Sequence, residues 1–106
     1  MVRPEAEVGT TLTHEAATTL AEVMQGLASP ARLMIVERLR ESPTGVTSLA
    51  NELGLSQATV SNHLRILRHA KLVTGDRKGK AVIYSLFDEH VEEFIDQAIR
   101  HLGHTA

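Results

Sequence analysis

The feature that most limits the fold of this chain is a pair of short helical segments joined by three residues. Within "GVTSLANELGLSQATVSNHLRILRHAKLV", Leu49 and Leu53 share one side of a short helix, and Gly54 is placed to end it. Ser56 is then placed to cap the helix that follows. Two helices joined by "GLS" are typical of a helix-turn-helix, so the rest of the chain is expected to fold around this unit.

Two further helices are predicted before this unit. The spacing of apolar residues predicts the first over His14–Leu27. The segment "SPARLMIVERLRESP" predicts the second, with Ser29 as its N-cap, Pro30 in its first turn and Pro43 beyond its end. The side chains predicted to be buried on this second helix are Leu33, Val36 and Leu39.

After Leu72 the apolar residues change to the alternating pattern of strands. The segment "LVTGDRKGKAVIYSLF" predicts a β-hairpin with a basic tip over about residues 72–86. A last helix is predicted over about residues 88–104, with Gly103 ending it. The predicted order α-α-α-α-β-β-α is mostly α with a small β-hairpin wing, which is a winged helix-turn-helix fold.

Composition limits the class of protein. A length of 106 residues predicts one domain, residues 13–106, after a flexible arm at residues 1–12. The aromatic content of 3% leaves a small core that a dimer interface would stabilise. The absence of cysteine excludes disulfides, thiolate metal sites and cysteine nucleophiles. No segment has the apolar length of a membrane span or a signal peptide core, so a cytoplasmic location is expected.

Positive charge is concentrated in the middle of the chain. The net charge is −2, but residues 56–84 hold six of the 11 Lys and Arg residues and one of the 13 acidic residues. This distribution favours a polyanionic partner, although charge alone fits a solvated basic face equally well.

The helix predicted at about residues 56–70 has the side chains of a recognition helix. On a helical wheel its outward face is polar, small and basic, opposite Val60, Leu64 and Leu67. Asn and Gln pair with adenine, Arg pairs with guanine, and Ala contacts the thymine methyl group. The residues of this helix predicted to contact double-stranded DNA are Ser56, Gln57, Ala58, Ser61, Asn62 and Arg65. Those of the wing, against backbone or minor groove, are Arg77, Lys78 and Lys80. His63, at the edge of the apolar side, is predicted to be hydrogen-bonded rather than a metal ligand.

The last helix carries a second motif, Asp-x-His at its start and His-x-x-His at its end. On a helical wheel, His90, His101 and His104 line the border between the apolar and the acidic sides. His90 and His101 are separated by about 16 Å along the helix axis, whereas metal ligands lie about 2 Å from the ion. One helix therefore cannot bring all of these groups to one ion.

Two antiparallel copies of the helix can do so. If a two-fold axis crosses the helix near Asp96, the start of each helix meets the end of the other. The ligands predicted for each of two ions are Asp88 and His90 from one chain with His101 and His104 from its mate. The alternative is that Asp88 only caps the helix and that the histidines form a polar strip.

The ligand types limit the metal. Three imidazoles and one carboxylate are compatible with zinc, cobalt or nickel, whereas copper(I), arsenic and cadmium favour thiolates. Four ligands suit tetrahedral zinc or cobalt. Nickel usually takes more ligands, and His14 and Glu93 are the further candidates.

These motifs together resemble the ArsR/SmtB family of metal-sensing repressors. The matching stretches are "LASPARLMIVERL", "LSQATVSNHLRILRHAKLV", "GDRKGKAVIYSL" and the terminal Asp-x-His and His-x-x-His. The resemblance implies a dimeric winged helix that binds an inverted-repeat operator and is usually released by metal. It implies the same ligand set for the branch whose metal site lies on the last helix. It also implies that His101, when metal-bound, links through its ring N–H to the loop near Lys71. Nickel-sensing relatives use a histidine near the N-terminus, where Val2 and Arg3 offer none.

Other functions fit parts of the sequence. A winged-helix regulator without high-affinity metal sensing, or one in which metal is a co-repressor, fits the same motifs. A protein-interaction module without DNA binding fits the helices alone. An enzyme is not expected, because no nucleophile stands in a recognisable motif and the chain is short for a substrate pocket.

Overall fold

The structure is a computed structural model that describes residues 11–105, with side chains described as far as Gly103. The elements in chain order are α1 (His14–Leu27), α2 (Pro30–Glu41), β1 (Thr44–Gly45), α3 (Val46–Leu53), α4 (Gln57–His69), β2 (Val73–Lys78), β3 (Ala81–Leu86) and α5 (Glu89–Thr105). The predicted winged helix-turn-helix order is confirmed, with one strand more than predicted. Residues 1–10 of the predicted flexible arm lie outside the described residues.

Three predicted capping residues, Ser29, Gly54 and Ser56, lie at helix ends. The Ser29 hydroxyl accepts a hydrogen bond from the Arg32 N–H at 3.3 Å, and the Ser56 hydroxyl accepts one from the Thr59 N–H at 3.1 Å. Gly54 ends α3 with a left-handed backbone, φ 70°. The turn between α3 and α4 therefore has the geometry that the "GLS" segment predicted.

The core receives side chains from every helix. Its buried apolar residues are Leu27, Ile35, Val36, Leu39, Leu49, Ala50, Val60, Leu64, Leu67, Leu72, Val73, Val91 and Ile95. The predicted burial of Val36 and Leu39 is confirmed, but that of Leu33 is wrong, since Leu33 is 43% exposed. Ile35 takes the buried position instead, and Leu33 lies about a third of a turn away from the centre of the buried face.

The sheet is larger than the predicted hairpin. Strands β2 and β3 pair antiparallel around a turn at Gly79 and Lys80, where Gly79 has φ 64°. The unpredicted strand β1 pairs with the other edge of β3, with Thr44 opposite Tyr84. Because β1 leads directly into α3, the wing is hydrogen-bonded to the start of the helix-turn-helix.

Helix α5 packs on α2 and β3 through Val91 and Ile95, which are 9% and 3% exposed. The helix continues to Thr105, so the prediction that Gly103 ends it is wrong. A glycine inside a helix costs only about 1 kcal/mol relative to alanine, and it ends a helix only where the backbone turns left-handed. Among the described residues, no helix is long and apolar enough to cross a membrane.

Candidate nucleic-acid interface and candidate metal centre

Helix α4 has two different sides. Val60, Leu64 and Leu67 are completely buried against the core. The outward side consists of residues that are all exposed and all predicted to contact DNA, namely Gln57, Ala58, Ser61, Asn62 and Arg65. The helix therefore presents a polar and basic face of the kind that can contact base edges in a major groove.

Two polar side chains on this face are already oriented. The Arg65 guanidinium donates to Asn62 Oδ1 at 2.6 Å, which places a guanidinium and an amide side by side. Ser56 is exposed but occupied as a cap, since its hydroxyl also donates to Thr59 Oγ1 at 2.8 Å. Ser56 therefore holds the end of α4, and Arg65 and Asn62 present polar groups on its outward face.

The tip of the wing carries the other predicted contacts. Arg77, Lys78 and Lys80 are all exposed. Lys78 Nζ lies 3.2 Å from Asp76 Oδ2, which partly neutralises it. Within the described part of the chain, Arg77 and Lys80 have no ion-pair partner, so their charges are available to a polyanion.

His63 lies at the edge of the buried side of α4, as predicted. It is half-buried, and its Nδ1 lies 3.3 Å from Nη1 of Arg32, which confirms the prediction of a hydrogen-bonded edge residue. Arg32 was not predicted as the partner of His63, because no local pattern pairs the first turn of one helix with the middle of another.

Asp88 and His90 come together at the start of α5. Asp88 Oδ1 accepts a hydrogen bond from the Val91 N–H at 3.1 Å, so Asp88 caps the helix. Asp88 Oδ2 lies 3.4 Å from His90 Nδ1, and the His90 side chain is 89% exposed. The backbone hydrogen bond from Val91, and then the neighbouring imidazole of His90, lower the pKa of Asp88.

The spacing of these two atoms fits a metal. Ligands about 2.0–2.1 Å from a tetrahedral ion lie about 3.3–3.4 Å apart, whereas adjacent octahedral ligands lie about 3 Å apart. The observed 3.4 Å between Oδ2 and Nδ1 is a hydrogen-bond distance and is also compatible with two ligands of one ion. Because Oδ1 makes the cap, Oδ2 can bind an ion without loss of the helix end.

The other predicted ligands lie apart from this pair. His101 is exposed near the end of α5, and the side chain of His104 lies outside the described residues. Glu93 is exposed on α5, and His14 is exposed at the start of α1. In residues 11–103, where side chains are described, no three potential ligands form a group. Within residues 11–103, Asp88 and His90 are thus the predicted ligands that lie in contact.

An ion-pair cluster fixes the middle of α5 to α2. Asp96 Oδ1 lies 3.2 Å from Arg40 Nη2, and Oδ2 accepts from Arg100 Nε at 2.7 Å. The hydrogen bond from Arg100, with the charges of Arg100 and Arg40, lowers the pKa of Asp96. The position of α5 is therefore set at Asp96, the residue nearest the predicted two-fold axis.

The chain has a helix buried on one side and basic on the other, next to a hairpin wing. These features define a DNA-binding protein of the winged-helix class. The family model of the bacterial regulatory proteins of the arsR family matches residues 29–74. The HTH-type transcriptional regulator NmtR of Mycobacterium tuberculosis is 47% identical over 93 residues, which cover 88% of this chain and 78% of that protein.

Solved structures agree with this result. The solution structure of apo-NmtR matches with a TM-score of 0.74 and 43% identity, covering 98% of this chain and 87% of that one. The homodimeric winged helix-turn-helix domain of Mb0332 from Mycobacterium bovis matches with a TM-score of 0.79 and 26% identity, covering 85% of each chain. The chain therefore belongs to the ArsR/SmtB family, and the resemblance stated from its motifs is confirmed. It is a DNA-binding transcriptional regulator and not an enzyme.

Proposed function

We propose that this regulator is a homodimeric, metal-responsive repressor that binds an inverted-repeat operator and is released by zinc, cobalt or nickel. The observation that carries the proposal is the 3.4 Å spacing of Asp88 Oδ2 and His90 Nδ1 at the exposed start of α5. Two donor atoms at a spacing compatible with one ion form half of a four-ligand site. The other half comes from a second copy of the chain, and such a regulator acts in the cytoplasm.

The uncovered apolar side chains of the two outer helices support a dimer. On α1, Leu20 and Met24 are each 44% exposed, and on α5, Phe94 and Leu102 are 44% and 65% exposed. Apolar side chains exposed on the first and last helices of a small domain favour association. A two-fold contact through α5 is isologous, so it brings the start of each α5 to the end of the other.

The metal site then consists of Asp88 and His90 of one protomer with His101 and His104 of its partner. Because α5 is continuous to Thr105, position 104 follows position 101 by almost one helical turn, and this spacing supports binding of one ion by both histidines. When bound, a divalent ion supplies coordination bonds that join the two protomers. Asp88 keeps its cap through Oδ1 and presents Oδ2, and His90 presents Nδ1. Glu93 and His14 are the candidates for further ligands of nickel.

DNA is bound by the outward face of α4 and by the wing. Arg65 and Asn62 contact base edges in the major groove, Gln57, Ala58 and Ser61 lie along the same face, and Ser56 holds the helix end at the backbone. The wing residues Arg77, Lys78 and Lys80 contact backbone or minor groove. Two such surfaces in a dimer match half-sites one helical turn apart.

Release follows if the joined α5 helices hold the dimer in a shape that no longer matches the two half-sites. Each α5 is fixed to α2 of its own protomer at Asp96. A change in the angle between the two α5 helices of the dimer therefore moves each protomer as a whole. His101 passes the change to the loop near Lys71 through its ring N–H, as the family resemblance implies.

Mixed dimers test the shared site. We expect homodimers of His90→Ala and of His101→Ala to bind no cobalt(II) at concentrations that saturate the wild type. A dimer with one chain of each kind, purified through two different tags, contains one intact site and binds one ion, half of the wild-type amount. Equilibrium dialysis and cobalt(II) absorption measure both quantities. A mixed dimer that binds no ion would refute the shared site.

The response of DNA binding is measured separately. The probe is a duplex selected from a random pool by the metal-free wild-type protein, and the readout is fluorescence anisotropy at fixed salt. We expect zinc, cobalt or nickel to weaken binding by the wild type and to leave His90→Ala unchanged. Unchanged wild-type affinity with all three metals would exclude metal sensing, and an increase would make the metal a co-repressor.

A further inference from the structure

The guanidinium of Arg32 joins three helices at one point. Arg32 lies in the first turn of α2, where its Nε donates to the Gly26 carbonyl at 2.6 Å and its Nη2 to the Gln25 carbonyl at 3.4 Å. Both carbonyls belong to the last turn of α1. Its Nη1 lies 3.3 Å from Nδ1 of His63 on the recognition helix α4. One side chain thus contacts the end of α1 and the side of α4.

The contact of Arg32 with α1 provides hydrogen-bond partners for carbonyl groups at the C-terminal end of α1. The last carbonyl groups of a helix have no partners within it and carry partial negative charge. The last turn of α1 contains no basic residue. The cation that neutralises this helix end therefore comes from α2, and Arg32 provides it.

The second contact fixes the chemical form of His63. Arginine has five N–H donors and no acceptor. His63 Nδ1 must therefore accept, and the ring hydrogen lies on Nε2. His63 stands next to Asn62, one of the outward residues of α4, so the bond holds the recognition helix directly beside its polar face.

A second close contact joins the end of α1 to the end of α4. A Cβ added at Gly26 would lie 3.0 Å from Cβ of Ala70 and 3.1 Å from Cδ1 of Leu72. The end of α1 thus touches the end of α4, about 10 Å along α4 from His63. Two separated contacts fix the rotation of a helix as well as its position, and the one at His63 depends on a single side chain.

We propose that Arg32 is a positioning residue for DNA recognition. It fixes the rotation of α4 against the C-terminal turn of α1, so that the polar face of α4 points into the major groove. This inference rests on the proposed DNA-binding function. Leu20 and Met24 of α1 are exposed, so a dimer contact that includes them would be linked through Arg32 to the recognition helix of the same protomer.

Matched variants separate positioning from charge and from folding. Arg32→Lys keeps the positive charge, but one ammonium cannot bridge the α1 carbonyls and His63. His63→Leu removes the acceptor at similar size, whereas His63→Asn keeps an acceptor close to the place of Nδ1. Each full-length variant is tested on the duplex selected by the wild type and on a duplex of random sequence at the same salt. Thermal unfolding is recorded for each.

We expect Arg32→Lys and His63→Leu to bind the selected duplex about tenfold more weakly, which corresponds to about 1.4 kcal/mol. Binding to the random duplex should stay within about twofold, because phosphate contacts and charge are retained. His63→Asn should stay within about threefold of wild type on both duplexes. The ¹⁵N signal of His63 Nδ1 should change in Arg32→Lys.

Other results would contradict the positioning role of Arg32. Wild-type affinity of His63→Leu for the selected duplex, or an equal loss on both duplexes, would overturn the positioning role. An unchanged Nδ1 signal in Arg32→Lys would exclude the bond itself. If Arg32→Lys does not fold, the comparison of His63→Leu with His63→Asn decides alone. A wild-type protein that enriches no duplex would instead refute the DNA-binding function.

Discussion

The two carboxylate oxygens of Asp88 have different roles, one in capping α5 and one in the proposed metal site. Substitutions can separate these two roles. Oδ1 caps α5 through the Val91 N–H at 3.1 Å, and Oδ2 lies 3.4 Å from His90 Nδ1. Asparagine caps a helix about as well as aspartate, but its neutral amide is a poor ligand for zinc or cobalt. Alanine provides neither the cap nor a ligand. Asp88→Asn should therefore lose metal binding alone, and Asp88→Ala should lose metal binding and stability.

The size of both effects follows from these contacts. Loss of one N-cap lowers the melting temperature of a domain of this size by about 4–8 °C. We expect this decrease for metal-free Asp88→Ala, and a change of less than about 2 °C for Asp88→Asn. Loss of a direct ligand should weaken cobalt(II) binding by more than the 10–100-fold typical of an outer partner, in both variants.

Circular dichroism melting with a chelator present, at one fixed protomer concentration, measures the stability. Cobalt(II) absorption of the same samples measures the metal site. Wild-type cobalt affinity in Asp88→Asn would show that Asp88 is only a cap. An equal loss of melting temperature in both variants would show that the Oδ1 hydrogen bond does not stabilise α5.

Three further predictions concern packing, pH and salt. Gly26→Ala should lower the free energy of unfolding by about 1 kcal/mol in urea, since its Cβ would meet Ala70 at 3.0 Å; a gain in stability would contradict this close approach. Arg100 lowers the pKa of Asp96, so the contribution of Asp96 to the free energy of unfolding is complete above the ordinary aspartate range. This contribution is lost as the pH falls through the lower pKa that Asp96 has in the folded state. Urea midpoints from pH 7 down to about pH 3 should therefore fall more for wild type than for Asp96→Asn, and parallel curves would refute the ion pair. Lys80→Ala should reduce the slope of the logarithm of the operator-binding constant against the logarithm of salt concentration by about 0.9 per protomer. An unchanged slope would place Lys80 away from phosphate.

Much of the fold could be predicted because the chain marks its helix ends locally. Ser29, Gly54 and Ser56 act through hydrogen bonds and backbone angles within a few residues of themselves, so their effect is readable from sequence. The burial of Val60 and Leu64 follows from a helical period of the same local kind. The neighbouring positions of Asp88 and His90 also depend only on where one helix begins.

The features that were missed depend on distant parts of the chain. Strand β1 consists of two residues whose partners are Tyr84 and Ile83, so no local pattern announces it. Leu33 is exposed because Ile35 takes the place that faces the rest of the core. Gly103 does not end α5, since glycine permits a turn without requiring one. The reach of Arg32 across two helices is likewise a tertiary property.

The short strand β1 also limits how this kind of domain can be changed. Thr44 and Gly45 are hydrogen-bonded to β3 and lead without a linker into α3. The base of the wing is thus tied to the helix-turn-helix, and an insertion there would separate two surfaces that read one site. The tip at Gly79 and Lys80 is exposed and has no such neighbour among the described residues. Residues can therefore be inserted at the tip of the wing without moving its base. The length of DNA that the wing reaches can then vary while the angle between the wing and the helix-turn-helix stays the same.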